Sequence, residues 1–333
     1  MYLFLTRSAG DRLKRRDVLK SATATLLAAL TKQVQADTTK NIPILDAHIH
    51  LFDPTRPQGV PWPPATDTVL YKPSLPDRYR NVTRGLGVCG AIAIECSPWE
   101  SDNDWLLQIA ASDPIIVGMI GDLVPGSASF RKNIDRLSAN PLFKGIRYGN
   151  LWNRNLLEDM NKPGFLEDLK LLSGTHLVFE SANPDMELIS ALVRIKDKIP
   201  DAKIVIDHLP NAQIPADASS QKTFAAHLEN LRSAPNVFAK LSEIPKQSNG
   251  STSLDLASYK EKLDMLWDTF GENRLLFGSD WPNGDHLATY ADTLSLVQKF
   301  MSTKTMTAQE KFFWRNSIAA YGWQPRLSSQ PHA

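Results

Sequence analysis

The chain has 333 residues, 42% of them hydrophobic, and a formal net charge of +1. That is enough apolar material for one large core, and the balanced charge gives no electrostatic footprint for nucleic acid or an acidic partner. Two cysteines, Cys89 and Cys96, cannot make a disulfide framework, and their places at the start and end of one expected strand argue against a bridge between them.

The first 36 residues read as an export signal. Arg12, Lys14, Arg15 and Arg16 supply a basic region, residues 21–30 a weakly apolar one, and Val34-Gln35-Ala36 a small-residue cleavage site. Arg15-Arg16-Asp17-Val18-Leu19-Lys20 resembles the twin-arginine signal, with Lys14 where Ser or Thr is usual and Val18 where Phe is usual. The expectation is a protein carried to the periplasm already folded, with residues 37–333 as its one domain. No other apolar run approaches the length of a membrane span.

Beyond Ala36, short apolar runs alternate with helical patterns. The runs fall at 42–48, 90–95, 115–121, 144–147, 175–180, 203–208, 237–241 and 274–278. They are continuous rather than alternating, as parallel strands covered on both faces should be. Helical spacing of apolar residues fills the gaps at 102–112, with Asp102 as its expected cap, and at 129–139, 164–173, 186–198, 224–232, 256–270, 287–300 and 308–320. Eight strand-helix units predict an α/β fold closed into a single (β/α)8 TIM barrel. No glycine-rich fingerprint follows the first strand, which argues against a dinucleotide-binding sheet. Residues 52–80 are too long for an ordinary connection and hold seven prolines, with Trp62 and Tyr71 among them. Such a loop at the C-terminal face predicts a wall or lid for a small-molecule substrate.

Polar residues at the ends of barrel strands meet at one mouth. Here they are His48, His50, Glu95, Asp122, Arg147, Glu180, His208, Lys240 with Ser242, and Asp280. His48 and His50 are two apart, so alternation along a strand points both imidazoles the same way, as a metal pair or a polar grip on substrate requires. Barrel closure brings the last strand, with Asp280, beside the first. Asp207 is expected on the outer face by alternation with His208. Three histidines among several carboxylates suit hydrolysis better than redox chemistry.

These segments resemble the amidohydrolase superfamily, in its amidohydrolase 2 branch. Asp46-Ala47-His48-Ile49-His50-Leu51-Phe52 is similar to the first-strand signature. Phe143-Lys144-Gly145-Ile146-Arg147, Ile206-Asp207-His208-Leu209, 236–242 and Phe277-Gly278-Ser279-Asp280-Trp281-Pro282 resemble later motifs, and Asn316-Ser317-Ile318-Ala319-Ala320-Tyr321 the C-terminal one. Sugar lactonases and pyrone-dicarboxylate lactonase are the members it most resembles, with aromatic-acid decarboxylases of the branch as rivals. The resemblance implies His48 and His50 as metal ligands, with Asp280 activating water and touching the metal. It implies one divalent ion such as zinc, or none, since some members work without metal. Glu180 is the candidate carboxylate ligand from a middle strand, with Glu95 as a second. His208 could bind the metal or polarise a carbonyl. Arg147 and Lys240 could each hold substrate, or serve as ion-pair partners inside the barrel; Trp62, Tyr71 and Glu95 complete the expected substrate contacts. The expected reaction is opening of a small cyclic ester, with decarboxylation and a catalytically inactive sugar-acid binding barrel as the alternatives.

Overall fold

The computed structural model describes residues 42–248 and 250–332; the expected export signal at 1–36 lies outside them. Eight parallel strands form one sheet in chain order. They are β1 (Ile44–His50), β2 (Val88–Ile94), β3 (Ile116–Gly121), β4 (Phe143–Arg147), β5 (Val178–Ser181), β6 (Ile204–Ile206), β7 (Val237–Leu241) and β8 (Leu275–Phe277). Just past β8 the ring returns to its start. Ile49 pairs in parallel with Trp281, His50 N donates to Trp281 O at 2.7 Å, and Asp280 N donates to His48 O at 2.9 Å. The expected barrel and all eight strands are present. The first strand runs two residues beyond its expected end, so both histidines lie within it.

Helices cover the outside. The helix Met186–Lys198 shows why. Asp185 caps it by accepting from Leu188 N, and Leu188, Ile189, Leu192 and Ile195 are buried along one face. A cap of this kind contributes about 1 kcal/mol, while each buried aliphatic side chain contributes about 1.5–3 kcal/mol. The helix expected from Asp102 begins two residues earlier, at Glu100. Asp102 instead takes a two-pronged hydrogen bond from Arg56 at 3.1 Å, which ties the helix to the long loop after β1. The last helix is interrupted by a π turn at Lys311–Arg315. The extra residue turns Phe312 and Phe313 onto Phe277 of β8, with ring centroids 6.4 and 5.9 Å apart. Beyond it, Asn316 Nδ2 donates to Leu275 O and Glu272 O, fastening this helix to the last strand.

The seam between β1 and β8 is sewn by Asp46. Its buried carboxylate accepts from His48 N at 3.2 Å, Ser279 N at 2.8 Å, Tyr290 OH at 2.9 Å and Tyr79 OH at 3.1 Å. Gly278 permits the close approach there, since a Cβ would stand 2.8 Å from that of His48.

Candidate active site

Three imidazoles and one carboxylate converge at the C-terminal mouth of the barrel. His48 Nε2 and His50 Nε2 lie 3.2 Å apart. Asp280 Oδ1 is 3.2 Å from His50 Nε2, 3.5 Å from His48 Nε2 and 3.8 Å from His208 Nε2. Each residue is placed by a specific backbone device. The two histidines sit on alternate positions of β1. His208 and Asp280 follow short strands and adopt left-handed φ values of +48° and +62°. Side chains with a Cβ rarely take that conformation, and here it turns both groups inward.

The second atom of each group is already engaged. His50 Nδ1 lies 3.1 Å from Ile94 O, and His208 Nδ1 lies 2.9 Å from Ser242 Oγ. His48 Nδ1 is 3.1 Å from Lys240 Nζ and 3.4 Å from Asp207 Oδ1. Asn283 Nδ2 donates to Asp280 Oδ2 at 2.7 Å. Asp280 Oδ1, by contrast, is buried without a hydrogen-bond partner. A buried carboxylate oxygen left bare is costly. Burial, followed by the Lys240 ammonium, holds the His48 imidazole well below the ordinary histidine value, so it is neutral. Burial opposes ionisation of Asp280, but His208 and the His50 imidazole outweigh it and hold that carboxyl well below the usual range.

This donor set fits a divalent cation. Tetrahedral zinc, with bonds of about 2.0–2.1 Å, sets neighbouring ligands about 3.3 Å apart. The spacings among His48, His50 and Asp280 bracket that figure, and the orphaned oxygen faces the same point. His208 Nε2, 3.8 Å from Asp280 Oδ1, stands farther out and groups instead with Asp280 and Glu243, or with His48 and Asp207.

Glu180, expected as a ligand, is elsewhere. It lies deeper in the barrel, accepts from Lys240 Nζ at 2.6 Å and Tyr321 OH at 2.8 Å, and belongs to none of the candidate metal clusters among the described residues. Lys240 is fully buried, with Asp207 at 2.9 Å on its other side. Of the two roles open to Lys240 the structure shows the counter-ion; three partners surround its amine below the cavity floor. Burial and Asp207 push the Glu180 carboxyl upward, whereas Lys240 keeps Asp207 low despite its burial. Asp207 therefore faces inward, contrary to the expected outer face: β6 ends at Ile206, and the left-handed turn at His208 ends strict alternation.

Arg147 also shows the ion-pair arrangement. Its Nε donates to Glu95 Oε1 at 2.7 Å, its Nη2 donates to Glu95 O at 2.6 Å, and its Nη1 stands 3.6 Å from Asp207. Glu95 is further occupied by Ser97 N and Trp152 Nε1, so it has little left for metal or substrate. Asp122 is held two-pronged by Arg154.

Above the imidazoles lies a cavity of about 240 Å³. Trp62 lines it, with its ring against His50 and Phe52 at 5.8 and 5.3 Å. The long loop is pinned back at its base, where Phe52 and Ser74 exchange backbone hydrogen bonds at 3.2 and 2.9 Å. Tyr71, expected beside Trp62, is exposed outside the cavity. Sequence reading missed Trp152, Asn183, Glu243 and Asn283, which complete the wall. They lie in loops after strands β4, β5, β7 and β8, where no periodicity marks them.

A closed parallel barrel, with imidazoles and a carboxylate clustered at its C-terminal mouth, defines a TIM-barrel scaffold with a candidate metal site. A family model for amidohydrolases (Amidohydro_2) matches residues 45–323, and the chain belongs to that family. Among curated proteins it is 25% identical to an L-fucono-1,5-lactonase of Burkholderia multivorans over 293 residues, covering 83% of this chain and 94% of the other. It is also 25% identical to the L-fucono-1,5-lactonase of Burkholderia ambifaria over 244 residues, covering 72% and 80%. In fold it resembles an amidohydrolase from Burkholderia multivorans, solved once with HEPES bound and once with zinc bound. The TM-scores are 0.75 and 0.73, at 20% identity, covering 85% of this chain and 100% of that one.

Proposed function

We propose that this protein is a lactonase that opens a small cyclic ester by attack of water. The observation that carries this reading is Asp280 Oδ1, buried without a hydrogen-bond partner and standing 3.2, 3.5 and 3.8 Å from the Nε2 atoms of His50, His48 and His208 at the cavity floor. Family membership and the curated relatives support the reaction class.

His48, His50 and Asp280 would hold one divalent ion, with His208 beside Asp280 to polarise the carbonyl. For His48 to offer Nε2, its Nδ1 would carry the proton, with Asp207 Oδ1 at 3.4 Å as its acceptor and the Lys240 ammonium donating instead to Glu180 and Asp207. A bound ion would supply a lower pKa for water and polarisation of the ester carbonyl. Zinc suits imidazole and carboxylate donors. Asp280 takes the proton of the attacking water, while Asn283 fixes the carboxylate's orientation. The same carboxyl then returns a proton to the ring oxygen as the carbon–oxygen bond opens. Trp62 covers the site and presents a flat apolar face to the lactone ring. Lys240 works from below, fixing Asp207 and His48, while Arg147 lines the cavity with its Nε and Nη2 committed to Glu95.

The test is acid release from a panel of aldonolactones by the purified protein, run beside CO₂ release from aromatic acids. Lactone turnover without CO₂ is expected; CO₂ release alone would assign the barrel to decarboxylation, and neither would leave a binding protein. We further propose that residues 1–36 direct export to the periplasm. Cell fractionation of the Arg15→Lys, Arg16→Lys variant checks this, with retention in the cytoplasm expected.

A further inference from the structure

We propose that Glu243 selects substrates by charge, so that the cavity accepts uncharged, hydroxyl-bearing lactones and turns away lactones that carry a carboxylate. The inference rests on the lactonase reading above and goes beyond it to the substrate class.

Among the described residues lining the cavity, Arg147 is the one lysine or arginine. Its Nε and Nη2 donate to Glu95 and its Nη1 stands 3.6 Å from Asp207, so its charge is matched by these two carboxylates. A substrate carboxylate would therefore meet no unbalanced guanidinium or ammonium there. The two carboxylates of the lining are Asp280 and Glu243. Asp280 is turned to the imidazoles, which leaves Glu243 facing whatever enters.

The Glu243 side chain is 34% exposed, and its nearest candidate cation is His208, with Nδ1 at 3.9 Å. Among the described residues no hydrogen bond to its carboxylate is made. Lys246, three residues on, belongs to a separate cavity with Lys262 and Tyr259. The backbone at Glu243 is left-handed, with φ +54°, and Asn211 Nδ2 holds it there by donating to Glu243 O at 2.5 Å. An ordinary surface loop has no need of a strained glutamate; here the strain keeps a carboxylate at the cavity wall.

An ionised carboxylate only accepts hydrogen bonds. Sugar hydroxyls donate to it readily. A second carboxylate cannot donate, and it would be brought beside Glu243 without a compensating cation, a repulsive element of the kind that sets specificity. Trp62, Leu151 and Trp152 give the wall apolar stretches suited to ring C–H groups, beside the amides of Asn183 and Asn283.

The test compares Glu243→Gln with wild type on matched lactones that differ by a hydroxymethyl against a carboxylate at C6. D-glucono-1,4-lactone with D-glucaro-1,4-lactone is one such pair, and the galacto pair is a second. Acid release gives kcat/KM, and metal content is measured on both proteins. Wild type should favour the neutral member at least about 50-fold, and Glu243→Gln should shrink that ratio at least about tenfold, a change of about 1.4 kcal/mol, with metal content unchanged. A wild-type ratio near one, or an unchanged ratio in the variant, would overturn the inference and leave the lactonase reading standing. Loss of metal in Glu243→Gln would overturn it too, by making Glu243 a ligand. No turnover of any lactone by wild type would remove the lactonase reading and this inference with it.

Discussion

Two sets of buried charged and polar side chains share this barrel, and they are built on opposite plans. On the middle strands, Glu95, Arg147, Glu180, Asp207 and Lys240 surround one another: Lys240 meets Glu180 at 2.6 Å and Asp207 at 2.9 Å, and Arg147 meets Glu95 at 2.7 Å. At the seam, His48, His50, His208 and Asp280 direct their remaining valences at a common point, and Asp280 Oδ1 is left bare. Burial is similar in both sets. The difference lies in what faces each carboxylate: Asp207 also lacks a geometric hydrogen bond, but the cations of Lys240 and Arg147 stand 2.9 and 3.6 Å from it, whereas Asp280 Oδ1 faces only imidazoles. Charges matched by cations fix geometry, whereas an unmatched carboxylate among imidazoles is poised to hold something else.

The largest effect expected from this contrast is on chemistry at the seam. Asp280→Asn keeps the shape but removes the proton acceptor, so we predict a fall in lactone kcat of about a thousandfold, within the range for general acid–base groups, with an unchanged melting temperature. Near-normal turnover would show that water is activated elsewhere.

Lys240→Met should act mainly on stability. It leaves Glu180 and Asp207 facing each other without their cation, and breaking a buried pair costs about 3–5 kcal/mol. Urea unfolding measures this. A variant as stable as wild type, with only KM raised, would mean that the amine reaches substrate after all.

Smaller effects belong to the long loop. Trp62→Ala should raise KM about five- to tenfold, the worth of one aromatic face at about 1 kcal/mol, with little change in stability. Tyr71→Ala, outside the cavity, should stay within about twofold of wild type. If the two variants behave alike, Trp62 is a packing residue and the loop is not a wall.

Much of this could be read from the chain because it depends on period and on order. Continuous apolar runs gave the strands, and barrel closure then required the first-strand histidines and the last-strand aspartate to meet. Inward or outward facing was legible at His48 and His50, which lie within a strand. It was not legible at Asp207, where the strand has already ended and a left-handed residue follows. Pairing was equally hidden. Nothing local distinguishes an arginine free to grip substrate from one spent on Glu95, since the partner lies 52 residues away in the chain. Glu180 at a strand end and Glu243 in a loop look alike as acids; only the fold shows that one is enclosed by Lys240 and Tyr321 while the other faces the cavity.

The central claim, that the seam and not the middle-strand network holds a divalent ion, is tested most directly by metal analysis of the purified wild type beside His50→Ala and Glu180→Gln. About one ion per chain is expected in wild type and in Glu180→Gln, and almost none in His50→Ala. Metal-free wild type with full lactone turnover, or an ion kept in His50→Ala and lost in Glu180→Gln, would contradict the account.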